Sequence, residues 1–458
     1  METELRTGAW YEDRVLELPA PASWRVRTHW PRTPRPLGDE EIRGAIARPV
    51  GQARIRDLCR GKRRPVIIVD DLNRPTPAGR VLPSVLEEFR AAGIEAAGVS
   101  IVMATGTHGA PPEGGFARKV GPEAARACRL IVHDDRKRGV RVGRTSFGTP
   151  VIVDREVAAA DFLVGVGGIY PNYTAGYGGG AKLALGVLAR RSIAHLHYRH
   201  EAVGWGSVGG DNPFRRDVEE AARLVGLQTQ VVLQVDARCE VIRAVSGASA
   251  RFYDAEVEFA RGAFAAPGPG DADVVISNTY PGDTSLTFVK MKGFTPLVLA
   301  KPGATRILIG SGSEGAGYHG LFPVFNPPRH YRQQARLREL SVLRPEEIAR
   351  RAARKGVRLA LRALGRPRTP AACGVPEESP MNQVWLYRPG RHETPAPAET
   401  GELRVSSSWE DVCSAVEREQ GKRTLNVVVY ACAPLQWIDL ERPAESSEIA
   451  AANGGRER

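Results

Sequence analysis

PVIIVDDLNRPTP, residues 65–77, runs an apolar stretch straight into two acids, an arginine and two prolines. The prolines stop the strand and fix the backbone of the turn, so Asp71 and Arg74 project from a rigid corner. An arginine held there suits a carboxylate or phosphate, because its planar fork makes two parallel hydrogen bonds. The plainer alternative is an acid that caps the next helix, with the arginine paired to it.

The same design recurs along the chain, in VSIVMATGTHG (99–109), DFLVGVGGIYPN (161–172), DVVISNTYPGD (273–283), TRILIGSGSEG (305–315) and TLNVVVYACAP (424–434). Strands that carry functional groups just past their C-terminal ends are the mark of an open α/β sheet, where ligands sit in the crevice at those ends. Helical patterns such as PSVLEEFRAAG (83–93) and RRDVEEAARLVG (215–226) fall between the strands at crossover length. A chain of 458 residues exceeds what one core usually serves. The expected fold is therefore α/β and two-lobed, with Rossmann-like open sheets and a cleft between the lobes. AAPGPGDAD (265–273) is the expected boundary. It separates a catalytic and cofactor-binding unit, 1–270, from a substrate-closing unit, 271–400. A return segment, 401–458, is expected to pack on one lobe and end in a flexible tail.

Composition narrows the class. Hydrophobic residues at 42% and charged residues at 25% are ordinary for a globular protein. METELRTGAWYEDR has acids where a signal peptide needs a basic region, and no apolar run reaches ~18 residues. A cytoplasmic protein without a membrane partner is expected. The six cysteines, Cys59, Cys128, Cys239, Cys373, Cys413 and Cys432, form no C-x-x-C pair, which argues against a zinc knuckle or a disulfide framework. Much of the +12 formal charge lies in one arginine-rich stretch, 332–368, with leucine, valine and alanine at helical spacing. An amphipathic helix pair with a solvated basic face is expected there rather than a nucleic-acid surface; a functional anionic contact is the alternative.

Four further stretches carry possible chemistry. His108, in ATGTHG (104–109), sits at a strand end among small residues and suits a general base, although a surface histidine would look the same. YPNYTAGYGGGAKLALG (170–186) has Gly176, Gly178, Gly179 and Gly180 ahead of Lys182. Such glycines let backbone N–H groups approach an anion, yet Gly-Ala-Lys-Leu lacks the hydroxyl of a Walker loop. AHLHYRH (194–200) offers His195, His197 and His200; the last two share a helical face at i, i+3, and one metal ligand is a simpler reading than three. In TFVKMKG (287–293) the lysines at i, i+2 point differently on a helix, so one alone, Lys290 or Lys292, is expected to face a cleft.

Taken in order, these five stretches resemble the lactate racemase family, whose members use a nickel-pincer nucleotide. The likeness extends over ARPVGQARIRDLCRGKRRPVIIVDDLNRPTP (47–77), TGTH and AGYGGGAK, and weakens in the second half. It implies a nickel-carrying pyridinium-3,5-bisthiocarboxylic acid mononucleotide, held by the glycine loop and attached through Lys182, with His197 as the nickel ligand and His200 as fallback. It implies hydride abstraction and return at the α-carbon of a 2-hydroxy acid. His108 would be a base, Asp71 and Arg74 would order the site and grip the carboxylate, and Lys292 would neutralise the anion. The chain also departs from the family. Asn172 stands where a second histidine base belongs and cannot take up a proton. Phe288 and Val289 replace a tyrosine and a glutamine. The departures imply a racemase or epimerase whose substrate is larger or less polar than lactate, or else a non-catalytic homologue that binds the cofactor or another anionic ligand. Enzymes that make the cofactor are the implied protein partners; the oligomeric state is left open.

Overall fold

The computed structural model describes residues 3–204, 206–208, 211–321, 349, 353, 384–390, 403–421 and 423–440. The arginine-rich stretch, except Ala349 and Ala353, lies outside these residues, as do Cys373 and the expected tail.

Strand Pro65–Asp70 is buried along its whole length, and its residues alternate between two cores. Ile67 and Val69 face one, with Val85, Phe89, Ile101 and Phe162; Val66 and Ile68 face the other, with Leu185, Leu196 and Phe214. Period-two alternation with both sets apolar requires cover on both faces of the sheet. Helix Leu82–Ala91 supplies part of it through Leu82, Val85, Leu86 and Phe89, a helical stripe, and the Phe89 ring meets Phe162 edge to face at 6.1 Å. Helix Pro213–Val225 covers the opposite face. The Asn212 side chain caps its start, and Gly226 closes it in the left-handed region at φ +84°.

The first sheet has six strands in the order Val241–Gly247, Thr229–Val235, Phe162–Gly168, Pro65–Asp70, Ser100–Ala104, Arg129–Val132; only the Val241–Gly247 edge is antiparallel. The chain proceeds from Pro65–Asp70 to one side and then returns to the other, so Pro65–Asp70 and Phe162–Gly168 flank the point where the winding reverses. That is where a doubly wound sheet opens a crevice at its C-terminal edge.

The second sheet, also of six strands, is parallel throughout: Leu403–Ser406, Val384–Tyr387, Thr305–Ile309, Val274–Asn278, Leu425–Tyr430, Trp24–His29. The expected α/β class with open sheets agrees with this arrangement. One placement differs. Trp24–His29, expected within the 1–270 unit, pairs instead with Leu425–Tyr430 in the second sheet. The reason is local: as an edge strand it buries Trp24 and leaves Arg25 exposed, so it carries no apolar run. The 401–458 segment contributes two strands to the same sheet, and its helix Trp409–Gln420 packs over that sheet through Val412, Cys413 and Val416. Among the described residues no helix is long and apolar enough to cross a membrane.

Phe89 joins helix to sheet at the centre of the first core, with no exposed surface. Phe89→Ala should lower unfolding stability by about 3–5 kcal/mol, read from urea titration. A loss below about 1 kcal/mol would contradict this packing.

Candidate active site

The crevice between the two central strands of the first sheet opens into a cavity of about 770 Å³. Asp71, Arg74, His108, Asn172, Gly178, Gly179, Lys182, His197 and Lys292, nine residues expected from the sequence, line it.

Its first wall is the corner after Pro65–Asp70. Asp71 accepts hydrogen bonds from the Asn73 backbone N–H and side-chain amide, each at 3.1 Å, and from His108 Nδ1–H at 2.6 Å. Burial alone would raise the Asp71 carboxyl, but the His108 contact and the Arg74 charge hold it far below the ordinary carboxylate range. His108 Nε2 is thereby left as the basic nitrogen, and burial lowers the histidine despite Asp71. Lys119, fully buried, sits behind the corner. Its ammonium lies 2.6 Å from Asp70 Oδ1 and donates to the carbonyls of Asp71 (3.0 Å) and Arg74 (2.9 Å), fixing the turn from inside. The Thr284 hydroxyl donates to Asn73 Oδ1 at 2.8 Å, tying the corner to the chain that leaves the second sheet.

The second wall is the glycine loop and the 3-10 helix Gly180–Val187 after it. Gly179 has φ +74°, and a Cβ there would lie 2.4 Å from the Gly168 carbonyl, so the backbone fold of the loop excludes a side chain. Arg215 braces this loop by donating to the Gly179 carbonyl at 3.1 Å while stacking 3.6 Å from the Tyr253 ring centre. The Tyr253 hydroxyl donates to the Gly178 carbonyl at 3.0 Å. Lys182 is buried near Arg74 and Arg215, and burial together with those charges lowers its amine to about 7. An amine lowered this far keeps a neutral fraction near neutral pH, the form in which a lysine can act as a nucleophile.

His197, on helix Arg190–Arg199, donates Nδ1–H to the Ile193 carbonyl at 2.8 Å. That bond fixes the tautomer with the Nε2 lone pair as the donor atom, the arrangement of a metal-ligating histidine, and burial lowers its pKa to about 3. His200, the fallback, is placed elsewhere. Its Nε2 contacts Asp217 at 2.8 Å, and it does not line the cavity. His195 pairs with Thr149. Gly176 and Gly180 also stand off the cavity: a Cβ on Gly176 would strike the Ser207 carbonyl, and one on Gly180 would crowd Tyr253 and Arg215. Among the described residues no group of three or more His, Cys, Asp or Glu side chains is arranged to hold a metal ion. A metal at His197 would draw its other donors from a bound group.

Helix Leu286–Val298 closes the cavity from the second sheet's side. Both Lys290 and Lys292 line it, where one was expected, because a lysine stem is long enough to reach a cleft from the flank of a helix. Lys292 is buried, and burial with the charges of Arg74 and Lys182 pushes its amine well below the ordinary lysine value. Phe288, Met291 and Phe294 add apolar surface. Asn172 is held in the wall by accepting the Ala175 N–H at 3.0 Å. His319, Lys119, Arg215 and Tyr253 escape a sequence reading. For His319 one signal existed: a histidine between glycines in GYHG (317–320), in the loop that leaves strand Thr305–Ile309.

Residues 11–206 match the profile of the lactate racemase N-terminal domain. The lactate racemase of Thermoanaerobacterium thermosaccharolyticum is 29% identical over 299 residues, covering 63% of this chain and 70% of that protein. The lactate racemase of Lactiplantibacillus plantarum is 26% identical over 309 residues, covering 65% and 72%. Residues 11–206 thus resemble a lactate racemase N-terminal domain, and the chain is similar to lactate racemases over about two thirds of its length. Its fold agrees. The lactate racemase apoprotein structure from T. thermosaccharolyticum superposes with a TM-score of 0.66 at 21% identity, covering 95% of this chain and all of that one. A structural-genomics protein from Thermotoga maritima gives 0.54 at 16% identity over 89% and 99% of the two chains.

Lys182 should react with an amine-directed acylating reagent along a pH profile whose midpoint lies near 7, because the amine is protonated and inert below that value. Peptide mass spectrometry after brief labelling at several pH values reads it. A profile rising only near ~10, like an ordinary lysine, would contradict the buried site.

Proposed function

We propose that the protein is a racemase or epimerase of 2-hydroxy acids dependent on a nickel-pincer nucleotide, with a substrate larger or less polar than lactate. The observation that carries this reading is the Asp71–His108 pair set in one buried cavity with Arg74, Lys182, Lys290 and Lys292. A base beside one guanidinium and three amines fits proton removal from an anion, whose charge favours the protonated form of those amines. Phe288, Met291 and Phe294 on the same wall favour a side chain bulkier than a methyl group.

The residues present fit the cofactor. Lys182 offers a partly neutral amine for attachment, Gly178 and Gly179 offer open backbone, and His197 offers one imidazole lone pair. When bound, the cofactor supplies the acceptor and donor of the hydride at the substrate's α-carbon. Arg74 grips the carboxylate through its two-pronged fork. His108 Nε2 takes the hydroxyl proton, and Asp71 stabilises the imidazolium so formed and keeps the ring in the required tautomer. The same proton returns to the oxygen when the alcohol is restored. Lys290 and Lys292 balance the substrate's charge from the second sheet's side, and the buried setting keeps bulk water from the reacting carbon. A cofactor-binding homologue without turnover is the second reading; Asn172 favours it, since an amide cannot act as a base.

The test is loss of optical activity by the cofactor-loaded protein on lactate, mandelate, malate and gluconate. Racemisation or epimerisation of at least one is expected, mandelate ahead of lactate. His108→Ala should abolish it, and Asp71→Asn should lower kcat by about 10²–10⁴-fold. His108 must be neutral to accept a proton and burial lowers its pKa, so the acid limb of kcat/KM should fall below ~6.5. Turnover undiminished in His108→Ala removes the assigned base. Loaded protein inert toward all four acids leaves the binding reading.

A further inference from the structure

The chain leaving strand Thr305–Ile309 is built as a strap from the second sheet onto the loops of the first. Its near end is tied to the start of helix Leu286–Val298: the Leu286 N–H donates to the Gly315 carbonyl at 2.9 Å and the Thr287 N–H to the Ala316 carbonyl at 3.0 Å. At Gly317, φ +70°, the strap passes so close to Ser285 that a Cβ would lie 2.2 Å from its hydroxyl. Its far end is anchored three times. Arg190 donates to the Tyr318 hydroxyl at 3.3 Å, the Gly320 N–H donates to the Thr107 carbonyl at 2.7 Å, and the Tyr198 hydroxyl donates to the Leu321 carbonyl at 3.1 Å.

His319 stands in the middle of these anchors, buried in the cavity wall. Its ring centre lies 4.9 Å from that of His108, and the Phe288 ring contacts both, at 5.0 Å from His108 and 6.3 Å from His319. The two histidines are held in opposite tautomers. His108 gives its Nδ1 proton to Asp71 and keeps a lone pair on Nε2. His319 Nδ1 accepts the Leu321 N–H at 3.2 Å, so the neutral ring carries its proton on Nε2. A ring with an acceptor nitrogen and a ring with an N–H donor are therefore neighbours in the cavity lining.

We propose that His319 is a second catalytic residue, donating a hydrogen bond to the substrate oxygen from which His108 takes the proton. The proposal rests on the reading under Proposed function. As the hydroxyl proton moves to His108 Nε2, negative charge grows on the oxygen, and a fixed donor aimed at that charge lowers the barrier. His319 transfers no proton; it holds the oxygen in both directions of the reaction while His108 gives and takes. This gives the site a second imidazole although Asn172 supplies none, and the two rings are neighbours.

The test compares His319→Phe, which keeps an aromatic filler without a donor, and His319→Gln, which restores an N–H donor. Full-length, cofactor-loaded protein is used with whichever of the four acids the wild type turns over best. His319→Phe should lower kcat by about 10²–10³-fold with little change in KM, and His319→Gln should recover part of the loss. The acid limb set by His108 should persist in both. Binding of the matching 2-oxo acid to the cofactor-free protein, read by calorimetry, should weaken in His319→Phe and recover in His319→Gln. Wild-type turnover with kcat unchanged in His319→Phe overturns this inference alone, as does His319→Gln performing no better than His319→Phe in both assays. Wild type inert toward all four acids overturns the inference together with the functional reading.

Discussion

The buried ion pair between Lys119 and Asp70 is the constraint on which the site depends. Lys119 has no solvent exposure, and its ammonium spends its remaining hydrogen bonds on the carbonyls of Asp71 and Arg74. A charge so placed cannot lose its partner cheaply; breaking a buried pair typically costs about 3–5 kcal/mol. The corner is thus locked from behind, which leaves the Asp71 carboxylate and the Arg74 guanidinium to face the cavity. His108 is oriented in turn by Asp71. The placement of the His108 ring follows from a lysine that does not line the cavity.

A second constraint is electrostatic. Arg74, Lys182, Lys290 and Lys292 crowd a space whose carboxylates, Asp70 and Asp71, are both already engaged. Burial and mutual repulsion lower the amines of Lys182 and Lys292. An anionic ligand relieves that repulsion, so binding and charge neutralisation are coupled. The same physics favours the neutral forms of Lys182 and His197, and the neutral form is the one in which an imidazole can coordinate a metal.

The sequence makes the central part of this legible and the supports much less so. Strand ends that finish in Asp71, Arg74, His108 and the glycine loop are read by the crevice rule, because burial on both faces writes itself as an apolar run. Trp24–His29 has no such run, and its partner strand lies some four hundred residues away. Lys119 sits in GFARKV, where a lysine reads as solvated surface, and only the packing of Trp10 and the corner over it reveals otherwise. Arg215 and Tyr253 brace the glycine loop from distant helices, with no local pattern to mark them. His200 follows the pattern of a ligand but turns to Asp217, since a one-residue choice on a helix depends on which face the core takes. His319 reaches the site only through the strap that brings the second sheet's chain over His108.

The central claim, that this cavity is the seat of a nickel-pincer nucleotide, is tested most directly by intact mass and nickel content of protein co-expressed with the cofactor-making enzymes and kept under native conditions. The account predicts one nickel per chain and a mass increase of one cofactor that maps to Lys182, with the increase lost in Lys182→Ala and the nickel lost or much reduced in His197→Ala. An unmodified wild-type chain carrying no nickel would contradict it.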